Sequence, residues 1–391
     1  AQALSYLMNS DLLNQICKDV TQAGGIVGEE TNVKFMYLAA TSRMMQKPIN
    51  TTVFAQSSSG KSHLVTTVAE FIPSEGKLIL SSASTRALEY IDEKALKHRF
   101  FVIQELEGAE DVLPTLRVLQ SEGKLARLVT IQDPVTHEMI AHVSEKEVPC
   151  ASVMTTTAGR LYDENSTRIF EIYIDESKLQ TGRIVTYNLR SAGLDHLRGK
   201  ASRESTKSLH HNVQRLLEPI DVVISYSDFL TFPAETTRNR RDSARFIQLI
   251  RAVTFLHQKQ REVKEEGAVK YIEATVEDYR MAYDIGVDIL RRTLDELSDR
   301  SRRVLRVIVD FVNSQTHDDV KLTRKKIGDH AEKMGEDFKN TRDLGKHLKQ
   351  LSDLEYVEVV EGGKGKTYVY KLKFEGDVEC PNVKDLLEPD Q

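Results

Sequence analysis

The sequence predicts an α/β chain, a mostly parallel sheet flanked by helices, with a smaller mixed unit after it. Three observations carry that prediction. A phosphate-loop sequence, Ala55-Gln-Ser-Ser-Ser-Gly60-Lys61-Ser62, stands between a strand-like run and a helical one. Short β-rich runs then alternate with helical stretches from 72 to 190, as strands joined by crossover helices do. Near Ser301 the composition changes again, and three amphipathic stretches are followed by two β-type runs.

Residues 1–47 read as helical, with apolar positions at Leu4, Leu7, Leu12, Leu13 and Ile16 and again at Val33, Met36, Tyr37 and Ala40. Gly24, Gly25 and Gly28 interrupt that pattern. Ile49–Ala55 is the first strand, and Ser62–Phe71 has the apolar spacing of the helix that must follow the loop. Further β-type runs lie at Lys77–Leu80, Phe100–Ile103, Leu128–Gln132, Ile140–Val143, Ala151–Thr155 and Ile169–Ile174. Ser191–Ser208, polar and charged, reads as the exit from this core. Residues 209–299 read as almost entirely helical, with one long stretch from Ser243 to Glu265.

Helices are expected at Ser301–Val312, Arg324–Met334 and Asn340–Leu354. Tyr356–Val360, a Gly362-Gly363 turn and Thr367–Leu372 then form a two-stranded wing, so the stretch reads as a winged-helix module. The expected division is 1–190 for the phosphate-loop core with its N-terminal helices, 191–300 for a helical linker and lid, 301–374 for the winged helix, and 375–391 for an acidic tail of 6 carboxylates and 1 Lys.

With 391 residues, 40% hydrophobic and 29% charged, the chain can bury two or three cores. A net charge of -5 excludes a protein coated in basic residues, so nucleic-acid contact must come from local patches. Cys17, Cys150 and Cys380 lie too far apart for a paired zinc motif or a disulfide framework and suit a reducing cytosol. No apolar run reaches the ~20 residues of a membrane span, and no signal sequence opens the chain, so a cytoplasmic protein without a membrane is expected. Ala1 in place of Met reads as the start of a fragment.

The loop chemistry follows from residue types. Ser57, Ser58 and Ser59 are small enough to let backbone N–H groups turn toward a β-phosphate, and Gly60 permits close approach. Lys61 neutralises β/γ-phosphate charge, and Ser62 offers a hydroxyl to Mg²⁺ at a helix N-terminus. Ala55 and His63 flank the same ATP site, Ala55 standing where a first Gly is usual. Phe100–Ile103 runs into Gln104-Glu105-Leu106-Glu107, where a carboxylate is needed to orient the attacking water and another to hold Mg²⁺. Glu105 fits the water-activating place; Gln104 stands where Asp is usual, and Glu107 is its substitute on the metal.

Thr156 and Thr157, at the end of the next buried run, are candidates to sense the γ-phosphate; three β-formers finishing a strand is the plain alternative. Arg168, directly before an apolar strand, is placed to face a neighbouring subunit's nucleotide and neutralise transition-state charge in trans.

This order of motifs resembles the AAA+ ATPases of the minichromosome-maintenance-like (MCM-like) helicase group, especially helicase domains of primase-type replication proteins of bacterial prophages and mobile elements. Ile26-Val-Gly28-Glu29, followed by Lys34, is similar to that group's adenine-side motif. Ile103-Gln-Glu105-Leu-Glu107 resembles its Walker B segment, and Thr167-Arg168-Ile-Phe its arginine finger. Arg240-Arg241-Asp242 through Leu249-Ile-Arg251 resembles the lid helix that carries a second arginine sensor; Arg241 and Arg245 both fit within one turn, and Arg241 is taken as the sensor.

Lys124 to His137 and Ile140 to Val143 are two β-type runs around a turn, where the group has a hairpin that enters a central pore, so Lys124, Arg127 and His137 are expected on DNA. The resemblance implies an AAA+ core with a helical lid, a homo-oligomeric ring, expected to be hexameric, and a helicase acting on single-stranded or forked DNA. The alternative is a non-translocating replication initiator or helicase loader. In the winged helix, Arg342, Lys346 and Lys349 share one face opposite Leu344, Leu348 and Leu351, and Lys364 and Lys366 sit at the wing tip. Residues 301–373 hold 16 Lys and Arg against 12 Asp and Glu, a balance of +4 that suits backbone phosphates.

Overall fold

Five short strands build a parallel sheet: β1 (Thr51–Phe54), β2 (Lys77–Leu80), β3 (Phe100–Ile103), β6 (Ala151–Thr156) and β7 (Phe170–Tyr173). Their order is β2-β3-β6-β1-β7, so β1 is flanked by β6 and β7, and β6 by β1 and β3. Strands β1, β3 and β6 are buried throughout, as expected of runs covered by helices on both faces. The computed structural model describes residues 1–374 apart from 56–59, 82–87, 89, 105–111, 133–136, 157–168, 233–238, 295–298, 316–321, 337, 339–340, 354–355 and 364–365. The chain divides into two compact units, Ala1–Leu290 and a second beginning at Arg291.

In the first unit α1 (Gln2–Leu7), α2 (Leu12–Gly24) and α3 (Glu30–Thr41) precede the sheet. From Phe35 to Ala40 every residue of α3 is buried, because α2, α4 (Lys61–Glu70) and α10 (Asn239–Leu256) pack around it. The short α5 (Glu93–Leu96) leads into β3, and α6 (Leu113–Glu122) ends at Gly123, whose φ of 64° is the left-handed cap a glycine accepts without strain. There the chain turns into β4 (Lys124–Gln132), which pairs antiparallel with β5 (Met139–Glu147) over nine residues each, outside the central sheet. The expected hairpin is present, but these two β-type runs add nothing to the parallel sheet.

Beyond β7, α7 (Lys178–Ser191), α8 (Leu194–Arg198) and α9 (Lys200–Arg215) carry the chain through the polar stretch after residue 190. A mostly polar helix is stable there because α9 turns His210, Val213 and Gln214 inward onto α1 and α2. His210 is fully buried, with Nδ1 3.0 Å from the Tyr37 hydroxyl and Nε2 3.2 Å from Asp19, while the Tyr6 hydroxyl donates to Asp19 at 2.6 Å. One expectation fails here: 209–299 is not almost entirely helical. The long helix α10 stops at Leu256, and β8 (Asp221–Val223), β9 (Lys264–Glu266) and β10 (Val269–Glu273) form a sheet of order β8-β10-β9. Gly267, at φ 62°, makes the β9–β10 turn that ends any helical reading of 243–265. Helix α11 (Val276–Leu294) follows.

The second unit holds α12 (Asp299–Asn313), β11 (Leu322–Thr323), α13 (Arg324–Lys333), α14 (Thr341–Asp353), β12 (Val357–Gly363) and β13 (Lys366–Leu372), with β13 antiparallel to both β11 and β12. Val304, Leu305, Ile308, Ile327, Leu344, Leu348, Leu351 and Tyr370 close one core.

Candidate functional site

The C-terminal ends of β3, β6 and β1 lie side by side, in register Ile103 to Met154 and Phe54 to Thr156. Three predicted site segments therefore begin on one edge: Ala55 and the loop after β1, Thr156 on β6, and Gln104 after β3. The Ala55 N–H donates to the Thr156 carbonyl at 3.4 Å, and the Thr155 hydroxyl donates to the Gln104 carbonyl. Thr156 is buried, Gln104 half-buried. Ser57, Ser58, Ser59, Glu105, Glu107, Thr157 and Arg168 lie outside the described residues.

The loop returns to described chain at Gly60, which caps α4 with φ 99°. Nothing would obstruct a Cβ there, so glycine is required by the backbone angle and not by space. Lys61, mostly buried, bends back so that Nζ donates to the Ala55 carbonyl at 3.4 Å, spanning the mouth of the loop. Ser62 is exposed on the first turn of α4, where the helix dipole is positive. This donor set fits nucleotide phosphates and Mg²⁺: Lys61 and the first N–H groups of α4 would hold the anion, and the Ser62 hydroxyl would be the ligand offered to the metal. Among the described residues no three His, Cys, Asp or Glu side chains converge on a metal position.

His63 ties α4 to the glycine-rich turn after α2. Its Nε2 lies 3.3 Å from the Gly25 carbonyl, which only accepts, so Nε2 carries the proton and Nδ1, 3.4 Å from the Thr67 hydroxyl, accepts. Gly25 (φ 72°) and Gly28 (φ 70°) are left-handed, and a Cβ on Gly28 would sit 2.3 Å from Gln180 Oε1. The Glu29 carboxylate accepts from Asn32 at 2.5 Å and from the Asp175 N–H at 3.0 Å, and Asn32 also donates to the Tyr173 carbonyl at 3.1 Å. The Ile26–Glu29 turn is thus fastened to the exit of β7.

Sequence reasoning missed Gln180, only 1% exposed, whose Nε2 donates to the Val27 carbonyl. The signal was legible in part. Ser177 and Gln180 have capping-box spacing, and Ser177 does accept from the Gln180 N–H at 3.1 Å. The Ser177 N–H is taken by Asp175 at 2.8 Å, which releases the Gln180 amide to reach Val27.

The lid arginines separate. Arg245 is buried, its guanidinium donating to the Ile169 carbonyl and paired with Asp242, whereas Arg241 is exposed. On the hairpin, Lys124 is engaged by Glu145 at 3.1 Å and Glu147 at 3.0 Å, which raises its pKa above the ordinary lysine value. His137 stands exposed beside the tip with φ 58°, and the side chain of Arg127 lies outside the described residues. In the second unit Lys346 and Lys349 are exposed on α14, opposite buried Leu344, Leu348 and Leu351. The Arg342 and Lys366 side chains and all of Lys364 lie outside the described residues.

A strand, a loop ending in a left-handed Gly60, and a helix opening with Lys61-Ser62, set in a parallel sheet, define a P-loop nucleotide-triphosphatase domain. The chain belongs to the MTBMA_p00010 P-loop domain family, whose model matches residues 1–215. No curated protein matches it. Among solved structures it is similar to a full-length MCM homolog from Methanopyrus kandleri, at 13% identity and a TM-score of 0.42 over 74% of this chain. The match spans 61% of that protein's length. No helix among the described residues is long and apolar enough to cross a membrane.

Proposed function

We propose that this chain is an ATP-driven DNA helicase or translocase of the AAA+ type, working as a homo-oligomeric, hexameric ring in the cytoplasm on single-stranded or forked DNA during replication of a mobile element or phage. The observation that carries the ATPase part is the alignment of Ala55, Thr156 and Gln104 at adjacent strand ends beside Lys61. In that reading Lys61 and Ser57–Ser62 hold the phosphates, and Ser62 holds Mg²⁺ with Glu105 and Glu107. Glu105 activates water, Thr156 and Thr157 sense the γ-phosphate, and Gly28 and His63 border the base.

Arg168 serves a neighbour's nucleotide. Arg241 belongs with it, because Arg245, one turn further along α10, is bonded at the start of β7, and Gln248 donates to Lys47 before β1 at 3.3 Å. Both contacts lie at the strand ends opposite the chain's own phosphate loop.

The β4–β5 hairpin favours translocation over the alternative of a non-translocating initiator or loader. Nine-residue strands extend about 30 Å, long enough to reach into a pore, and a static loader has no use for such a projection. Lys124, Arg127 and His137 are its proposed DNA contacts, with Lys124 acting from within its carboxylate pair. Domain roles follow: 1–190 core, 191–300 linker and lid, 301–374 a winged helix contacting DNA through Arg342, Lys346, Lys349, Lys364 and Lys366, and 375–391 an acidic tail.

The test is a pair of variants. Lys61→Ala should abolish nucleotide binding, while Glu105→Gln should retain it and hydrolyse at least ~10²-fold more slowly. Equal loss of binding in both would remove Glu105 from the catalytic role.

A further inference from the structure

We infer that the outward face of α7 and α8 docks on the outer face of the β8-β10-β9 sheet of a second copy of this chain; the inference deepens the homo-oligomer reading and rests on it. At 100° per residue Gln180, Ile184 and Tyr187 share the inner face of α7, which leaves Leu179, Val185 and Leu189 turned outward. These three, with Leu194 and Leu197 of α8, are each half or more exposed. Single exposed apolar side chains are ordinary, but five on two consecutive helices make a patch. The same stretch, 178–203, carries 6 Lys and Arg against 1 Asp, a balance of +5. Lys178, Arg183, Arg190 and Lys200 are exposed, and none of them pairs with a carboxylate among the described side chains.

The sheet offers the complement. Its register sets Asp221 and Lys264 opposite Tyr271, Val223 opposite Glu273, and Glu266 opposite Val269, so these residues share one face. Ile272 points the other way and is fully buried on the side that packs on α10. On the outer face Val223 and Val269 are exposed. Residues 218–230 and 261–277 together hold 8 Asp and Glu against 3 Lys and Arg, a balance of -5. The three cations are already engaged, Arg261 by Asp278, Lys264 by Glu273 and Lys270 by Glu265. Asp221, Asp228, Glu262 and Glu266 are exposed and pair with no cation among the described side chains. A nucleic-acid face is more polar than α7 and α8, whose cations stand among leucines, whereas an acidic face with exposed valines matches them in both charge and apolar character. Two unlike surfaces make a head-to-tail contact, the kind that repeats from copy to copy and closes into a ring.

The experiment is sedimentation velocity on the full chain, native and with two charge reversals at exposed positions: Arg183→Glu with Arg190→Glu on α7, and Asp221→Lys with Glu266→Lys on the sheet. The native chain should assemble, and less strongly as salt is raised. Each reversal alone sets like charges face to face and should weaken assembly by ~10²-fold or more. An equimolar mixture of the two should assemble again, because the reversed helix face of one meets the reversed sheet face of the other and the two native faces meet likewise. Thermal denaturation checks folding; if a reversed chain is unfolded, the same two pairs changed to Ala carry the test, each with a smaller loss of assembly. Native-like assembly of either variant, or a mixture that stays dispersed, would overturn the inference and leave the homo-oligomer reading standing. Native-like assembly with loss of forked-DNA affinity in the α7 variant would assign that face to nucleic acid instead. A native chain that stays monomeric would remove the homo-oligomer reading and the inference with it.

Discussion

Replacing Gln180 by Ala separates the Ile26–Glu29 turn from helix α7 without altering a residue of the phosphate loop. In the native protein the Gln180 amide donates to the Val27 carbonyl and its Oε1 packs against Gly28. The substitution leaves that carbonyl without its partner, and an orphaned buried acceptor costs about 1–3 kcal/mol. Val27 is half-buried, so water recovers part of the loss and about 1–2 kcal/mol applies, a factor of roughly 5–30 in an equilibrium constant. If the turn borders the nucleotide base, that factor should appear in ATP affinity. Titration of a fluorescent ATP analogue measures it. Gln180→Glu, similar in volume but unable to donate when ionised, should weaken binding similarly, and Thr181→Ala, on an exposed position of the same helix, should not. Unchanged affinity in both Gln180 variants, with thermal stability lowered, would show that Ile26–Glu29 is only a structural turn.

Other expectations concern separate parts of the chain. Lys346→Ala with Lys349→Ala should reduce the salt slope of DNA binding by about two, because two phosphate contacts are lost; an unchanged slope would assign the second unit to protein contacts. Glu75, bonded to Arg215 at 2.7 Å, has its carboxyl pKa pulled down to about 2, chiefly by that bond. A folded pKa below the unfolded one contributes stability that is present above the ordinary carboxylate range and lost as pH falls toward the folded value. Both side chains are half-exposed, so the contribution is at most about 1 kcal/mol. The difference in urea midpoint between Glu75→Gln and the native chain should therefore shrink as pH is lowered from about 7 to about 3.

The strands β2 and β3 were legible to the residue because each is a short run bounded by breakers or polar residues, and Phe100–Ile103 is apolar throughout. Gly25 and Gly28 were legible as interruptions of a helical pattern and Gly60 as a residue that permits close approach, though only the backbone angles show that each is left-handed. Helix α7 defeated the amphipathic rule. Its inner face carries Gln180, Ile184 and Tyr187, while Leu179, Val185 and Leu189 are exposed, so the apolar stripe points away from the core. The sheet β8-β10-β9 was missed because Asp221–Val223 is only three residues long and largely exposed, Lys264–Glu266 is wholly charged, and only Ile272 of its central strand is fully buried. Arg245 could not be told from Arg241 by spacing alone; burial under β7 separated them.

Unwinding of a forked DNA with one labelled strand tests the account most directly. The native chain should displace that strand with ATP and not without it, and the Lys61→Ala chain should bind the fork yet displace nothing. ATP hydrolysis by the native chain with fork binding but no strand displacement would contradict the helicase assignment and favour an initiator or loader built on the same ATPase.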